Sequence, residues 1–249
     1  MANRIKSLVI PAGSGMAIMA IKALRQDEDI FVMSADISKL APGLYLSHKS
    51  FLLSPFSDEN FFDKLKELVR REEVDVIIPA LDTILLAFAE KAERFEELGT
   101  HILVSEPETI RVTRDKWQTY LLLKDTVPIA KSFVKKEAID IDYPLFIKPR
   151  SGSGSKQAYV INSDKELDFF YNYVRNPIIQ EFLPGTEYTV DCLADMKGNL
   201  VACVLRERIE IRDGISTKSL IIENVQFEEM AKALTKELKF RGPFFFQAK

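Results

Sequence analysis

The chain has 249 residues, of which 47% are hydrophobic and 29% charged, the proportions of an ordinary globular protein. Its net charge of −3 at pH 7 gives no support to a nucleic-acid partner. No apolar run approaches the ~20 residues that a membrane span needs, and the length predicts two or more subdomains.

Cysteine and histidine are scarce, which narrows the chemistry. The two cysteines, Cys192 and Cys203, do not form a C-x-x-C pair. The chain starts with a strand-like stretch that lacks the pattern of a signal peptide, so we expect a cytoplasmic protein with both thiols reduced. His48 and His101 are the only histidines, which argues against a His-based zinc site or a Ser-His-Asp triad.

Strand and helix patterns alternate through the first 105 residues. Short apolar runs predict strands, and apolar residues at helical spacing predict amphipathic helices. Predicted strands cover 5–10, 29–34, 74–78 and 101–104, and predicted helices cover 16–25, 59–72 and 81–98. This alternation is typical of an open parallel sheet with helices on both faces. We therefore predict an α/β, Rossmann-like domain over residues 1–112.

The first predicted turn has part of a dinucleotide-binding pattern. Gly13 and Gly15 follow the first strand, and Asp36 ends the second. The third glycine of G-x-G-x-x-G is replaced by Ile18, where close packing of helix on strand favours a residue without bulk. We predict a turn with a packing role that does not bind NAD, and keep a dinucleotide-dependent enzyme as an alternative.

The second half of the chain changes to a mixed pattern rich in strands. A short helix is predicted to begin at 106–108, and further helices are predicted over 115–124, 164–175 and 226–238. Predicted strands cover 129–134, 145–147, 157–161, 177–181, 187–195, 200–210, 219–222 and 243–249. This half is therefore expected to be α+β, with antiparallel hairpins.

A lysine and a Ser/Gly loop lie between two predicted strands. Lys148 ends the apolar run, and the loop that follows it is Ser151, Gly152, Ser153, Gly154 and Ser155. Glycines permit positive φ, and successive backbone N–H groups in such a turn can bind an anion. The loop lacks the G-x-x-x-x-G-K-[ST] pattern of a Walker A motif. Two hypotheses stay open from the residues alone, a phosphate site and a hairpin tip with a solvated lysine.

A second candidate site joins an apolar strand to an alternating one. Gln180, Glu181, Phe182 and Leu183 form a hinge whose backbone groups can recognise an adenine edge. Glu187, a few residues later, can accept hydrogen bonds from ribose hydroxyls.

Together these stretches resemble the ATP-grasp family, with the closest likeness to the carbamoyl-phosphate synthase large-subunit type of module. D-alanine–D-alanine ligase and biotin carboxylase are more distant relatives. The resemblance covers essentially the whole chain. It implies a Rossmann-like domain over 1–112, followed by an α+β ATP-grasp fold with a lid subdomain over 113–182 and a C-terminal subdomain over 183–249. It also implies that ATP phosphorylates a carboxylate and that an amine or another nucleophile attacks the acyl phosphate.

The resemblance assigns roles residue by residue. Lys116 and Lys148 correspond to phosphate-binding lysines, Ser151–Ser155 to a lid over the phosphates, Gln180–Leu183 to the adenine hinge, and Glu187 to the ribose ligand. Gln247 corresponds to a Mg²⁺ (or Mn²⁺) ligand. Arg206, Arg208 and Arg212 follow a period of two, which predicts one shared strand face. Lys148, Arg206 and Arg212 are the catalytic candidates, and a solvated charged face is the alternative for the arginines.

The resemblance is incomplete at its last motif. The family places Glu and Asn metal ligands about a dozen residues after the glutamine, whereas this sequence ends two residues after Gln247. We therefore expect a C-terminally incomplete module that is itself inactive. A non-catalytic nucleotide-binding module and one part of a split carbamoyl-phosphate-synthase-like enzyme are alternatives. The expected partners are small-molecule carboxylate and amine substrates and a second copy in a homodimer, without nucleic acid or membrane.

Overall fold

The computed structural model describes residues 4–152, 154, 157–212 and 214–249. Its contacts divide the chain into two compact units, one that ends at Pro107 and one that begins at Glu108. We call them unit 1 and unit 2. None of the helices in the described part of the chain is both long enough and apolar enough to cross a bilayer.

Unit 1 is a parallel sheet with helical connections, as the alternation of patterns predicted. Its strands lie in the order β3-β2-β1-β4-β5. The elements are β1 (Ile5–Ile10), α1 (Gly15–Leu24), β2 (Ile30–Asp36), a 3₁₀ turn (Pro42–Tyr45), β3 (Lys49–Leu52), α2 (Phe61–Glu72), β4 (Val76–Pro79), α3 (Asp82–Ala89), α4 (Ala92–Glu96) and β5 (His101–Ile102).

Burial explains why these patterns form a sheet and helices. The central strand β1 is apolar on both faces, and Leu8 and Val9 are fully buried, as expected for a strand covered on both sides. Helix α2 buries one apolar stripe that includes Phe61 and Leu65, and its charged residues lie on the opposite side.

The structure differs from the sequence prediction at two places in unit 1. Strand β3 was not predicted, because its four residues form neither a clear apolar run nor a clear alternation of apolar and polar residues. The helix predicted over 81–98 is divided into α3 and α4. No glycine or proline marks that division in the sequence, so the spacing of apolar residues did not reveal it.

The turn between β1 and α1 is closed by a buried carboxylate. Asp36 Oδ2 accepts a hydrogen bond from the Gly13 backbone N–H at 2.8 Å, and its Oδ1 accepts one from the Ser38 N–H at 2.9 Å. Asp36 is only 7% exposed. Ser14 caps α1 by accepting a hydrogen bond from the Ala17 N–H. The acidic residue of the partial dinucleotide pattern is thus already used by the backbone.

We expect Asp36→Ala to lower the free energy of unfolding by about 1–3 kcal/mol, because two backbone N–H groups lose their acceptor in a partly buried turn. Urea denaturation followed by circular dichroism measures this change. Asp27→Ala is the control, since Asp27 is exposed and accepts one hydrogen bond from Asp29 N–H, and its effect should stay within about 0.5 kcal/mol. Equal effects of the two variants would contradict the structural role of Asp36.

Unit 2 contains two four-stranded sheets, here called the first sheet (β6-β9-β7-β8) and the second sheet (β12-β11-β10-β13). Its elements are α5 (Pro107–Arg114), α6 (Lys116–Leu123), β6 (Ser132–Phe133), a 3₁₀ turn (Lys136–Ala138), β7 (Leu145–Pro149), β8 (Tyr159–Ile161), α7 (Asp164–Tyr173), β9 (Pro177–Glu181), β10 (Tyr188–Ala194), β11 (Leu200–Arg212), β12 (Ile215–Ile222), α8 (Val225–Leu238) and β13 (Gly242–Ala248).

Each sheet of unit 2 packs one face against a helix. In the first sheet, Leu145 and Ile147 pack in a core with Leu167 of α7. In the second sheet, Val190 and Cys192 pack in a core with Ala231 of α8. Since successive side chains of a strand point to opposite faces, the residues between these core positions lie on the other face of each sheet. The candidate residues Lys148 and Gln247 are of this kind. The subdomain boundary between 182 and 183 stays a prediction.

Candidate phosphate-binding site

Lys148 lies on the face of the first sheet that is opposite to its core. It follows the buried Ile147 on β7 and pairs with Ile178 of β9, which is fully buried. Paired residues of neighbouring strands share a face, so the apolar side chain of Ile178 lies beside the stem of Lys148. Its Nζ also lies 5.6 Å from the centre of the Phe146 ring.

This setting changes the acid–base behaviour of Lys148. Burial disfavours its ammonium form, and the nearby charge of Lys116 adds repulsion. Together they lower the pKa of Lys148 to about 8. A poorly hydrated ammonium beside a second cation is stabilised by a bound anion, so the site is suited to a phosphate group.

Lys116 reaches the same place from helix α6. It is the first residue of that helix, directly after the N-cap Asp115. Its Nζ donates a hydrogen bond to the Gly152 carbonyl at 3.1 Å and lies 3.5 Å from the Arg150 carbonyl. The structure therefore brings together two predicted lysines that lie on different elements of unit 2.

The Ser/Gly loop follows Lys148 directly. Gly152 and Gly154 have φ values of 114° and 77°, the region that glycine adopts without strain. Ser151 and Gly152 are exposed. Ser153 and Ser155 lie outside the described residues, and the role of this loop as a lid stays a prediction.

The predicted adenine hinge begins on the strand next to Lys148. Phe146 pairs with Gln180 and Lys148 with Ile178, so the hinge starts two positions along the sheet from Lys148, about 7 Å at the rise of a strand. The Glu181 N–H donates to the Lys131 carbonyl at 2.8 Å, and the Gln180 side chain donates to Ser132 Oγ at 2.7 Å. Phe182 and Leu183 are half-buried beyond the strand.

Glu187 lies between two cations. Its Oε2 is 3.3 Å from Nη1 of Arg208, and its Oε1 is 3.7 Å from Nζ of Lys249. Lys249 also lies 5.5 Å from the centre of the Phe182 ring. The predicted ribose ligand and one hinge residue are thus connected through Lys249, which the sequence analysis did not single out.

The three arginines of β11 occupy different surroundings. Arg206 donates from Nε and Nη2 to the carboxylate of Asp191 and from Nη1 to Ser219. The Arg208 side chain is 6% exposed and its buried Nε has no hydrogen-bond partner. Arg212 pairs with Glu210 on its own strand and its side chain is 76% exposed.

The predicted shared face does not extend along β11 from Arg206 to Arg212. The register between β11 and β12 shifts on both sides of Glu210, and such irregularities interrupt the simple alternation of side chains. The period of two holds between Arg206 and Arg208, whereas Arg212 lies beyond the shifts. We therefore correct the prediction of one face for all three arginines.

Gln247 is exposed on β13 and pairs with Thr189 of β10. No group of three or more His, Cys, Asp or Glu side chains within the described ranges could hold a metal ion. Asp191 of β10 forms an ion pair with Arg206, and Glu187, which lies just before β10, forms one with Arg208. Mg²⁺ prefers several oxygen ligands in octahedral geometry. In nucleotide sites Mg²⁺ is usually held by one or two carboxylates together with phosphates, so the described residues form no complete Mg²⁺ site without a nucleotide, and Gln247 as a ligand stays a prediction.

Sequence reasoning missed the ion pair that connects the two lysine-bearing segments. Asp115 precedes Lys116, and Arg150 follows Lys148 after one residue. Arg150 donates from Nε and Nη2 to the two carboxylate oxygens of Asp115 at 2.7 and 2.6 Å. The sequence shows an acidic residue next to Lys116 and a basic residue near Lys148. It does not show that these two charged residues pair with each other, because only the fold brings the two segments together.

Comparison with known families covers both units. Residues 113–244 match the family described as the ATP-grasp domain, and residues 9–103 match the PylC-like, N-terminal domain. D-alanine–D-alanine ligase of Petrotoga mobilis is 31% identical over 101 residues, which are 38% of this chain and 34% of that protein. The carbamoyl phosphate synthase large chain of Pyrococcus furiosus is 28% identical over 181 residues, 63% of this chain and 17% of that protein.

A solved structure shows the same fold. The biotin carboxylase domain of Hydrogenobacter thermophilus 2-oxoglutarate carboxylase, a dimer in complex with MgADP and bicarbonate, has a TM-score of 0.73 and 17% identity. The match covers 98% of this chain and 60% of that one. The chain thus spans about a third or less of the two curated relatives and somewhat more than half of this structure.

Proposed function

This chain belongs to the ATP-grasp family, and from that membership we propose that it is an ATP-dependent ligase that activates a carboxylate as an acyl phosphate. The single observation that carries the proposal is the convergence of Lys116 and Lys148, whose charges interact strongly enough to help lower the pKa of Lys148. Two cations beside a glycine loop suit the phosphates of a nucleotide.

The proposed reaction has two steps. A carboxylate oxygen of the first substrate attacks the γ-phosphorus of ATP, and ADP leaves. The amine of the second substrate then attacks the acyl carbon, and inorganic phosphate leaves as the amide forms. In both steps negative charge lies on phosphate oxygens, so positioned cations are expected to supply most of the stabilisation.

Each part of the site takes a role in this scheme. Lys148 and Lys116 hold phosphate oxygens, and the backbone after β9 receives the adenine. Glu187 accepts hydrogen bonds from the ribose once its contacts with Arg208 and Lys249 rearrange. Arg206 contacts the substrate carboxylate or a phosphate. Magnesium belongs to the substrate as MgATP in this proposal, because the described residues form no complete metal site without a nucleotide.

A second candidate function is nucleotide binding without catalysis. The observation that favours it is the lack of a carboxylate cluster for a metal within the described ranges. A dinucleotide enzyme has less support, since the Asp36 carboxylate is used by the backbone N–H groups of Gly13 and Ser38. Small carboxylate and amine substrates, and a homodimer like that of the biotin carboxylase domain above, are further parts of the proposal.

Titration calorimetry with MgATP and with NAD, followed by a screen for ADP release over amino acids and small carboxylates, tests the proposal. The ligase proposal predicts MgATP binding without NAD binding, and ADP release that requires one carboxylate and rises with one amine; such release would show that the sequence-based expectation of an inactive chain is wrong. MgATP binding without ADP release would favour the non-catalytic module. NAD binding that is lost in Asp36→Ala, or no MgATP binding, would contradict the proposal.

A further inference from the structure

A bidentate ion pair holds together the two segments that carry the phosphate lysines. The guanidinium of Arg150 and the carboxylate of Asp115 form two parallel hydrogen bonds of 2.7 and 2.6 Å. Both side chains are about a quarter exposed, at 25% and 24%. Bidentate, partly buried pairs of this type fix geometry more strongly than single surface contacts.

The residues of the pair lie close to the two lysines in the sequence. Asp115 is the N-cap of α6, and Lys116 is the first residue of that helix. Arg150 directly follows β7, which ends at Pro149 and carries Lys148. A backbone hydrogen bond of 3.0 Å from the Lys116 N–H to the Arg150 carbonyl adds a second connection. The start of α6 is therefore attached to the end of β7 by side chains and by backbone.

We propose that Asp115 and Arg150 are positioning residues that hold Lys116 and Lys148 together against their mutual repulsion, so that both reach one polyphosphate. This inference depends on the proposed function, since it assumes that the lysines bind ATP. Two like charges would separate in a site that is not held. Holding them together before the ligand arrives removes the cost of bringing them together during binding.

The hydrogen bonds of the pair favour positioning over two simpler roles, which are helix capping and direct phosphate binding by Arg150. Asp115 Oδ1 also accepts a hydrogen bond from the Trp117 N–H at 3.0 Å, so α6 has its N-cap contact independently of Arg150. The Nε and Nη2 atoms of Arg150 both point at Asp115. The fork of the guanidinium is thus directed at the carboxylate, and Arg150 is expected to act on ATP through Lys116 without binding a phosphate itself.

A double-mutant cycle in the full chain separates positioning from direct binding. Affinity for MgATP is measured by titration calorimetry in Arg150→Met, Lys116→Ala and the double variant. We expect Arg150→Met to raise Kd about tenfold in the wild-type background and less than about twofold in the Lys116→Ala background, since coupled residues are not additive. Arg150→Lys, which keeps one hydrogen bond, should recover part of the affinity.

Two further variants address folding. Asp115→Asn keeps an N-cap acceptor and removes the charge, so it should weaken MgATP binding as Arg150→Met does. Lys136→Met removes another ion pair of unit 2, with Asp168 at 2.5 Å, and should leave Kd unchanged. If Arg150→Met fails to fold, Asp115→Asn and Arg150→Lys carry the test, with thermal melting as the measure of folding.

The outcomes distinguish this inference from the proposed function. If Lys116→Ala and Lys148→Ala do not weaken MgATP binding, the proposed function is wrong. If they do weaken it while Arg150→Met and Asp115→Asn do not, only the positioning role is wrong. Equal effects of Arg150→Met in the wild-type and Lys116→Ala backgrounds would also overturn it, because they would indicate that Arg150 acts independently of Lys116.

Discussion

Replacing Lys148 with alanine is expected to raise the Kd for MgATP by about tenfold or more. A hydrogen bond to a charged group contributes roughly 1.5–3 kcal/mol, and each 1.4 kcal/mol corresponds to about a factor of ten in affinity. Lys148 lies on the face of β7 opposite to the core residues Leu145 and Ile147. Its removal should therefore affect the ligand and leave the core of the first sheet intact.

The stability of the ligand-free protein provides an independent readout for the same residue. Burial and the charge of Lys116 lower the folded-state pKa of Lys148 to about 8, below the ordinary value of roughly 10.4 for an unfolded lysine. Between these values the unfolded chain binds more protons, so stability rises with pH in this window. Below it the buried ammonium disfavours folding. We expect Lys148→Met to melt at the wild-type temperature or higher at pH 7.

Lys131→Ala is the matched control for the loss of a lysine. Lys131 directly precedes β6 of the first sheet, and its Nζ pairs with Asp140 at 2.7 Å on the surface. Its removal should leave both Kd and melting temperature nearly unchanged. Unaltered MgATP affinity in Lys148→Ala, or a large loss of stability in Lys148→Met, would contradict the assignment of Lys148.

The second large effect that we expect is a fall in ATP affinity as pH rises above about 8. In the proposed function ATP binds the ammonium form of Lys148, and burial lowers the pKa of this group in the ligand-free protein to about 8. Bound phosphates favour the charged form and raise the pKa in the complex. Binding is therefore accompanied by proton uptake above pH 8. Between pH 7 and 9.5 we expect the association constant to decrease by about tenfold or more.

The variant Lys148→Arg tests whether the pH dependence of ATP binding comes from the proton of Lys148. A guanidinium stays charged over the whole range, so the affinity of Lys148→Arg should be nearly flat from pH 7 to 9.5 while every other titrating group is unchanged. Calorimetry in buffers of different ionisation enthalpy counts the protons taken up. A wild-type profile parallel to that of Lys148→Arg would show that Lys148 does not titrate near pH 8. If the arginine variant does not bind, NMR titration of the lysine side chain measures the pKa directly.

The candidate nucleotide site combines local motifs with contacts that depend on the fold. The apolar run before Lys148 and the glycines after it are neighbours in sequence, so their pattern indicated a strand followed by a loop. The structure has β7 ending at Pro149 and Gly152 at a φ of 114°. The hinge predicted after β9 was also indicated by residues that are neighbours in sequence. Which of these residues bind ATP stays a prediction.

Arg212 and Glu187 illustrate what a local pattern cannot show. A period of two placed Arg212 with Arg206, but the register shifts around Glu210 arise from the pairing of β11 with β12. Glu187 lies between Arg208 and Lys249, and these contacts require strands β11 and β13 to approach the turn that carries it. Neither arrangement has a signature within a short stretch of sequence.

The sequence by itself determined the parallel sheet of unit 1, the mixed character of unit 2 and the resemblance to the ATP-grasp family. The first two features follow from hydrophobic periodicity and turn residues, which act between neighbours along the chain, whereas the resemblance rests on the short motifs around Lys148 and Glu187. Only the tertiary structure decided that Arg150 pairs with Asp115, that Asp36 is used by the turn after β1, and that burial beside Ile178 and Lys116 lowers the pKa of Lys148. Ion pairing and desolvation depend on groups that are distant in sequence, and only folding brings those groups into contact.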